Sequence, residues 1–89
     1  MKIKKEDYQR FLVSGSLAIE TYCDLNNIDT HENEQISNFF AKMKEYYDLS
    51  RKRIEIRDEA VEDLIDLINN IGEDKFSIND NGEIGYDDK

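Results

Sequence analysis

Three groups of residues have the types and spacing to do chemistry: a calcium-loop-like run near the end, a basic cluster in the middle, and a string of carboxylates between them. Against the pattern D-x-[DN]-x-[DN]-G-x5-E, Ser77 takes position 1, Asn79 position 3, Asn81 position 5, Gly82 position 6, Ile84 position 8 and Asp88 position 12. Position 1 lacks its carboxylate, position 12 holds Asp in place of Glu, and Gly72-Glu73-Asp74 separates the run from the preceding periodic segment. Turn chemistry fits these residues better than metal chemistry. Phe76-x-Ile78 and Ile84-x-Tyr86 alternate as two half-buried strands around Asn79-Asp80-Asn81-Gly82, whose residues tolerate positive φ. A two-stranded hairpin is marginal alone in water, so it is expected only if its apolar face lies on helices; otherwise 73–89 is an acidic tail.

The basic cluster SRKRIEIR offers Arg51, Lys52, Arg53 and Arg57 as phosphate contacts. Glu55 and Asp58 interleave with it, and Asp48 stands four residues before Lys52, the spacing of an internal pair. Direct nucleic-acid binding is therefore not expected.

The carboxylates are the larger signal. Through residue 57 ten bases balance ten acids, whereas residues 58–89 hold eleven acids against Lys75 and Lys89, so the whole net charge of −9 lies in the last third. Such a surface repels nucleic acid and membrane phosphates and attracts basic partners. Glu59, Glu62, Asp63 and Asp66 recur three to four residues apart, which puts them on one flank of a helix whose Val61, Leu64, Ile65 and Ile68 face a core. Tyr46, Tyr47 and Tyr86 are expected to be partly exposed and to anchor a partner, since a tyrosine ring buries area while its hydroxyl stays wet.

Catalytic machinery is not expected. Cys23 and His31, each the single residue of its kind, fall on different elements, and a nucleophile–base pair needs both within hydrogen-bond reach. Zinc requires more Cys or His ligands than these two. No Gly-rich phosphate loop occurs, and no cofactor or metal is implied. Cys23 has no second cysteine to bond, no charged-then-apolar leader opens the sequence, and no run reaches the ~20 apolar residues of a membrane span. A reducing cytoplasm is the expected location.

The positioning elements follow from periodicity. Hydrophobic residues are 38% and charged residues 37% of 89 residues, without proline or tryptophan, yet the apolar residues fall in helical runs. A first helix is expected over about 6–25, with an unusually small centre at Ser14-Gly15-Ser16 that suits close approach of another backbone. Asp29 or Thr30 can cap a second helix over about 33–56. A 4–3 count then runs Ile36, Phe40, Met43, Tyr47, Ser50, Ile54, Arg57, Val61, Leu64, Ile68, Ile71. Either the chain breaks near Ile56–Asp58, with Asp58 capping a third helix over about 58–71, or one helix of about 38 residues pairs with its copy as a homodimer. Ser50 and Arg57 on that seam favour the break, since a continuous dimer would bury both. Gly72 suits the end of the third helix.

The expected fold is a mainly α single domain, a small bundle of two or three helices with a short C-terminal hairpin or acidic tail. The expected function is non-enzymatic binding: an inhibitor or adaptor that docks on a basic, nucleic-acid-binding protein such as a nuclease. In general character this resembles the small acidic proteins that phages direct against host defence nucleases (anti-CRISPR-like) and bacterial toxin-immunity proteins, although no motif ties it to either. A homo-oligomeric structural protein and a phosphate-binding regulator are the alternatives.

Overall fold

The computed structural model describes residues 2–49 and 54–87. Three helices, α1 (Tyr8–Leu25), α2 (Glu34–Leu49) and α3 (Ile54–Ile71), precede a hairpin of β1 (Phe76–Ile78) and β2 (Ile84–Tyr86). Short 3-10 turns at Lys5–Asp7 and Glu73–Lys75 lead into α1 and into β1. The mainly α bundle with a C-terminal hairpin is the architecture expected from the sequence.

The ends of the helices explain the topology. At the end of α1, Asn27 adopts φ 55°. The Ile28 N–H donates to the Cys23 carbonyl at 2.9 Å and the Asn27 N–H to that of Asp24 at 3.4 Å, a Schellman closure with asparagine in the usual glycine position. At the start of α2 the cap is Asn33, whose Oδ1 accepts the Ile36 N–H at 3.1 Å. This corrects the expected cap at Asp29 or Thr30. The Asp29 carboxylate instead accepts the His31 N–H at 2.9 Å, a turn of its own that delays the helix.

The expected break at Ile56–Asp58 is likewise displaced. Both residues lie inside α3, which is helical from Ile54. Asp58 caps nothing; its Oδ1 accepts Arg57 Nε at 3.1 Å and Nη2 at 3.0 Å. Ser50 lies outside the described residues, and Arg57 is in α3 rather than at a turn. α2 and α3 run antiparallel, because Asn70 near the end of α3 donates to Gln35 at the start of α2 at 2.9 Å, while Lys42 meets Asp63 mid-helix. One continuous helix over 36–71 is thereby ruled out.

Buried residues on α2 are Ile36, Phe39, Met43 and Tyr46. The 4–3 count chose the neighbouring ring in each aromatic pair, whereas Phe40 and Tyr47 are only partly buried at the edge. α3 contributes Ile56, Ala60, Val61, Leu64, Leu67 and Ile68, and α1 contributes Phe11, Leu12, Ala18, Ile19 and Cys23. Each fully buried Val, Leu, Ile, Phe or Met among them is worth about 1.5–3 kcal/mol relative to exposure.

The small centre of α1 serves two neighbours. A Cβ on Gly15 would collide with the Leu64 side chain, so the approach that needs glycine is by a leucine rather than by a backbone. One residue earlier, Ser14 Oγ donates to the Arg10 carbonyl at 2.7 Å and accepts the Ile84 N–H at 3.0 Å, pinning β2 to α1.

The hairpin is held from both ends. Its register pairs Phe76 with Tyr86 and Ile78 with Ile84, and the core takes Phe76 and Ile84. At the tip, Gly82 (φ 81°) donates its N–H to the Asn79 carbonyl at 3.1 Å, and the Asn79 N–H donates to Glu83 at 3.0 Å. This is a type I turn closed by a residue with positive φ, a favoured three-residue connection. A side chain at Gly82 would also press on Asp7, with 2.8 Å between the two Cβ atoms. The alternative of an unstructured acidic tail therefore does not apply to 76–86.

Candidate functional site

The 3.6-residue period of α3 places Glu59, Glu62, Asp63 and Asp66 on one flank, beside its apolar face. The antiparallel return brings α2 alongside that flank. Between the two helices runs an open groove of about 480 Å3, lined by Gln35, Asn38, Ala41, Lys42, Glu45, Asp63 and Asp66. Ala41 is small enough to leave the floor open, and the Asn70–Gln35 amide pair spans the two helices near one end.

One cation sits in the acidic cluster. Lys42 Nζ is 3.0 Å from Asp63 Oδ2 and 3.5 Å from Glu59 Oε2. The hydrogen bond to Asp63, ahead of the nearby charges, pushes the Lys42 pKa above the ordinary lysine value, although partial burial opposes it. Glu62 and Asp66 are exposed on the same flank, and Glu45 enters the groove from α2. The arrangement presents fixed carboxylate acceptors to solvent and suits Lys or Arg side chains of a partner.

The four α3 acids lie together on one flank, as their spacing predicts. Lys42, Glu45, Gln35 and Asn38 join them from α2 without a spacing that points to them. Lys42 stands between core residues Phe39 and Met43, at the shoulder of the buried face, but that placement is visible only once the packing selects Phe39 over Phe40.

The three tyrosines fare differently. Tyr46 is only 3% exposed, so the expectation that it anchors a partner is corrected: it belongs to the core. Tyr47 is half-buried with its ring tilted against Tyr46, centroids 5.3 Å apart. Tyr86 is half-buried edge-on between Tyr22 and Phe76, with centroids at 5.5 and 5.6 Å. None of the three lines the acidic groove.

Of the four basic residues, Arg51, Lys52 and Arg53 lie outside the described residues. Arg57 is engaged: its guanidinium lies 5.1 Å from the centroid of the Tyr8 ring and is bound to Asp58. That placement buttresses α3 against α1 and leaves less of the group for phosphate.

Cys23 is buried at 1% exposure, and burial, followed by the charges of Asp24 and Glu20, raises its thiol pKa, which disfavours the reactive thiolate. His31 is exposed in the α1–α2 connection. The side chain of Asn79, at the third position of the calcium-like run, is used within the turn: Oδ1 accepts the N–H groups of Asn81 and Glu83, and Nδ2 donates to Glu83. Asp88 lies outside the described residues. Among the described residues no three His, Cys, Asp or Glu side chains gather as metal ligands, and no helix is long and apolar enough to cross a membrane. No family model, curated protein or solved structure matches this chain.

Proposed function

We propose that this protein is a small acidic binding module without enzymatic activity, an inhibitor or adaptor that docks the α2–α3 face on a basic surface of another protein in the cytoplasm. The occluded surface is the nucleic-acid groove of a nuclease or similar protein, as in phage anti-defence inhibitors of the anti-CRISPR kind. An immunity protein facing a basic toxin would use the same chemistry. The observation that carries the reading is the flank of Glu59, Glu62, Asp63 and Asp66, fixed on a helix hairpin and answered only by Lys42 among the described residues. Carboxylates held on rigid helices need little ordering on binding, and a field of one sign accelerates encounter with a basic partner.

The test is affinity capture from the native host lysate at low and high salt, using the wild type and a variant with Glu59→Gln, Glu62→Gln, Asp63→Asn and Asp66→Asn. The expected result is a stoichiometric basic protein retained by the wild type at low salt and released by the variant or by high salt. A partner held equally by both proteins would overturn the assignment of this face, and capture of an acidic or salt-insensitive partner would overturn the electrostatic reading.

A further inference from the structure

The outer face of α1 carries a second pattern, independent of the α2–α3 groove and sharing no residue with it. Glu6 in the preceding 3-10 turn and Arg10, Val13, Leu17, Glu20 and Asp24 on α1 are all exposed and recur at alternating spacings of four and three, the period of a helix-pairing seam. Its centre is aliphatic: Val13 is 44% and Leu17 61% exposed, beside a groove of about 530 Å3 bordered by Gln9, Arg10, Ser14 and Glu83. Its ends differ in charge. Lys2, Lys4, Lys5 and Arg10 precede Phe11 against Glu6 and Asp7, with Arg10 paired to Asp7 at 3.4 Å, whereas no Lys or Arg occurs from Phe11 to Ala41, a stretch that includes Glu20, Asp24, Asp29 and Glu32.

From this pattern we infer that α1 is a self-association surface on which a second copy packs antiparallel across a two-fold axis lying between Val13 and Leu17. The charge pattern selects both the occupant and its direction. In the antiparallel arrangement Leu17 of one copy crosses Val13 of the other, and the basic segment that leads into each α1 lies over the acidic end of its mate's α1. Glu6 then falls near Asp24, but Lys4 and Lys5 outnumber it. A parallel arrangement would stack like on like at both ends. With two exposed aliphatic residues per copy at its centre, the contact belongs to the small, concentration-dependent class. The acidic face of α2 and α3 stays outside it, so a dimer would present two docking faces.

Sedimentation equilibrium of the full chain at near-physiological ionic strength tests this. The mass is expected to rise from 10.5 kDa towards twice that value between about 10 μM and 1 mM. Leu17→Asp, at an exposed position that leaves the core untouched, is expected to weaken association at least about tenfold. Glu20→Lys with Asp24→Lys makes the chain less negative and lowers general repulsion, yet is expected to weaken association as well; adding Lys4→Glu with Lys5→Glu restores it. A wild type that stays at 10.5 kDa throughout overturns the inference. So does association that Leu17→Asp leaves unchanged, which would place the contact elsewhere. Circular dichroism of each variant separates lost contact from lost fold.

Discussion

The two flanks of α3 make opposite uses of one helix. Towards α1, Leu64 is fully buried in the space that Gly15 leaves, and Ala60, Leu67 and Ile68 lie buried beside it on the same helix. Towards α2's outer edge, the same helix exposes Glu59, Glu62 and Asp66 and binds Lys42 through Asp63 and Glu59. The first flank depends on shape, where one methyl group matters. The second depends on charge in high dielectric, where single pairs contribute little to stability. A residue set that contributes little to folding yet concentrates charge on a rigid element is free to be selected for binding.

The largest expected effects lie on the packed flank. Leu64→Ala should cost about 2–5 kcal/mol in urea unfolding, because a buried leucine leaves a cavity. Gly15→Ala should cost about 1–3 kcal/mol in the wild-type background, because its Cβ meets Leu64. In the Leu64→Ala background that second cost should shrink or reverse as the new methyl fills the vacated space. Strict additivity of the two substitutions would break the account of this contact.

Beyond Phe76 and Ile84 in the core, the hairpin is tied to α1 by the Ser14 hydroxyl. Ser14→Ala removes the acceptor of the Ile84 N–H and should cost about 1–2 kcal/mol, with amide exchange faster at Ile84. Unchanged protection at Ile84 would mean that water replaces the hydroxyl and that the pin is dispensable.

Much of this packed side was readable from the chain. Phe76, Ile84 and Tyr86 pack as their alternation around an Asn-Gly pair predicts, although Ile78 stays exposed, and the small centre of α1 stands out against its apolar neighbours. The choice between Phe39 and Phe40, or between Tyr46 and Tyr47, was not readable. The core uses Ile36-Phe39-Met43-Tyr46, while the shifted count Ile36-Phe40-Met43-Tyr47 is as apolar and as periodic; only the position of α3 decides between them. The start of α3 was obscured for a related reason. In a segment dense with acids, Asp58 looks like a cap, and its local partner Arg57 cannot be told from a surface base without knowing that Tyr8 lies beneath it. The acids of the candidate site were legible because they share one helix. Lys42, Glu45, Gln35 and Asn38 were not, because they join the site only through the antiparallel return of α2.

The smallest expected effect lies on the charged flank. Lys42→Gln should lower stability by less than about 1 kcal/mol near neutral pH, since the pair is partly exposed. Because Asp63 raises the lysine pKa in the folded state, the contribution is complete below the ordinary value of 10.5 and is lost as pH rises through the raised one. Unfolding curves of the wild type and Lys42→Gln should therefore converge at strongly alkaline pH. A gap that persists there would assign the lysine's role to its aliphatic stem.

The division of α3 into a folding flank and a binding flank is tested most directly by urea unfolding of the variant carrying Glu59→Gln, Glu62→Gln, Asp63→Asn and Asp66→Asn. The account predicts a single transition within about 1 kcal/mol of the wild type, since losing two partly exposed pairs is offset by relieved repulsion among the acids. A loss of more than about 2 kcal/mol would show that these carboxylates hold the bundle together, contradicting the division.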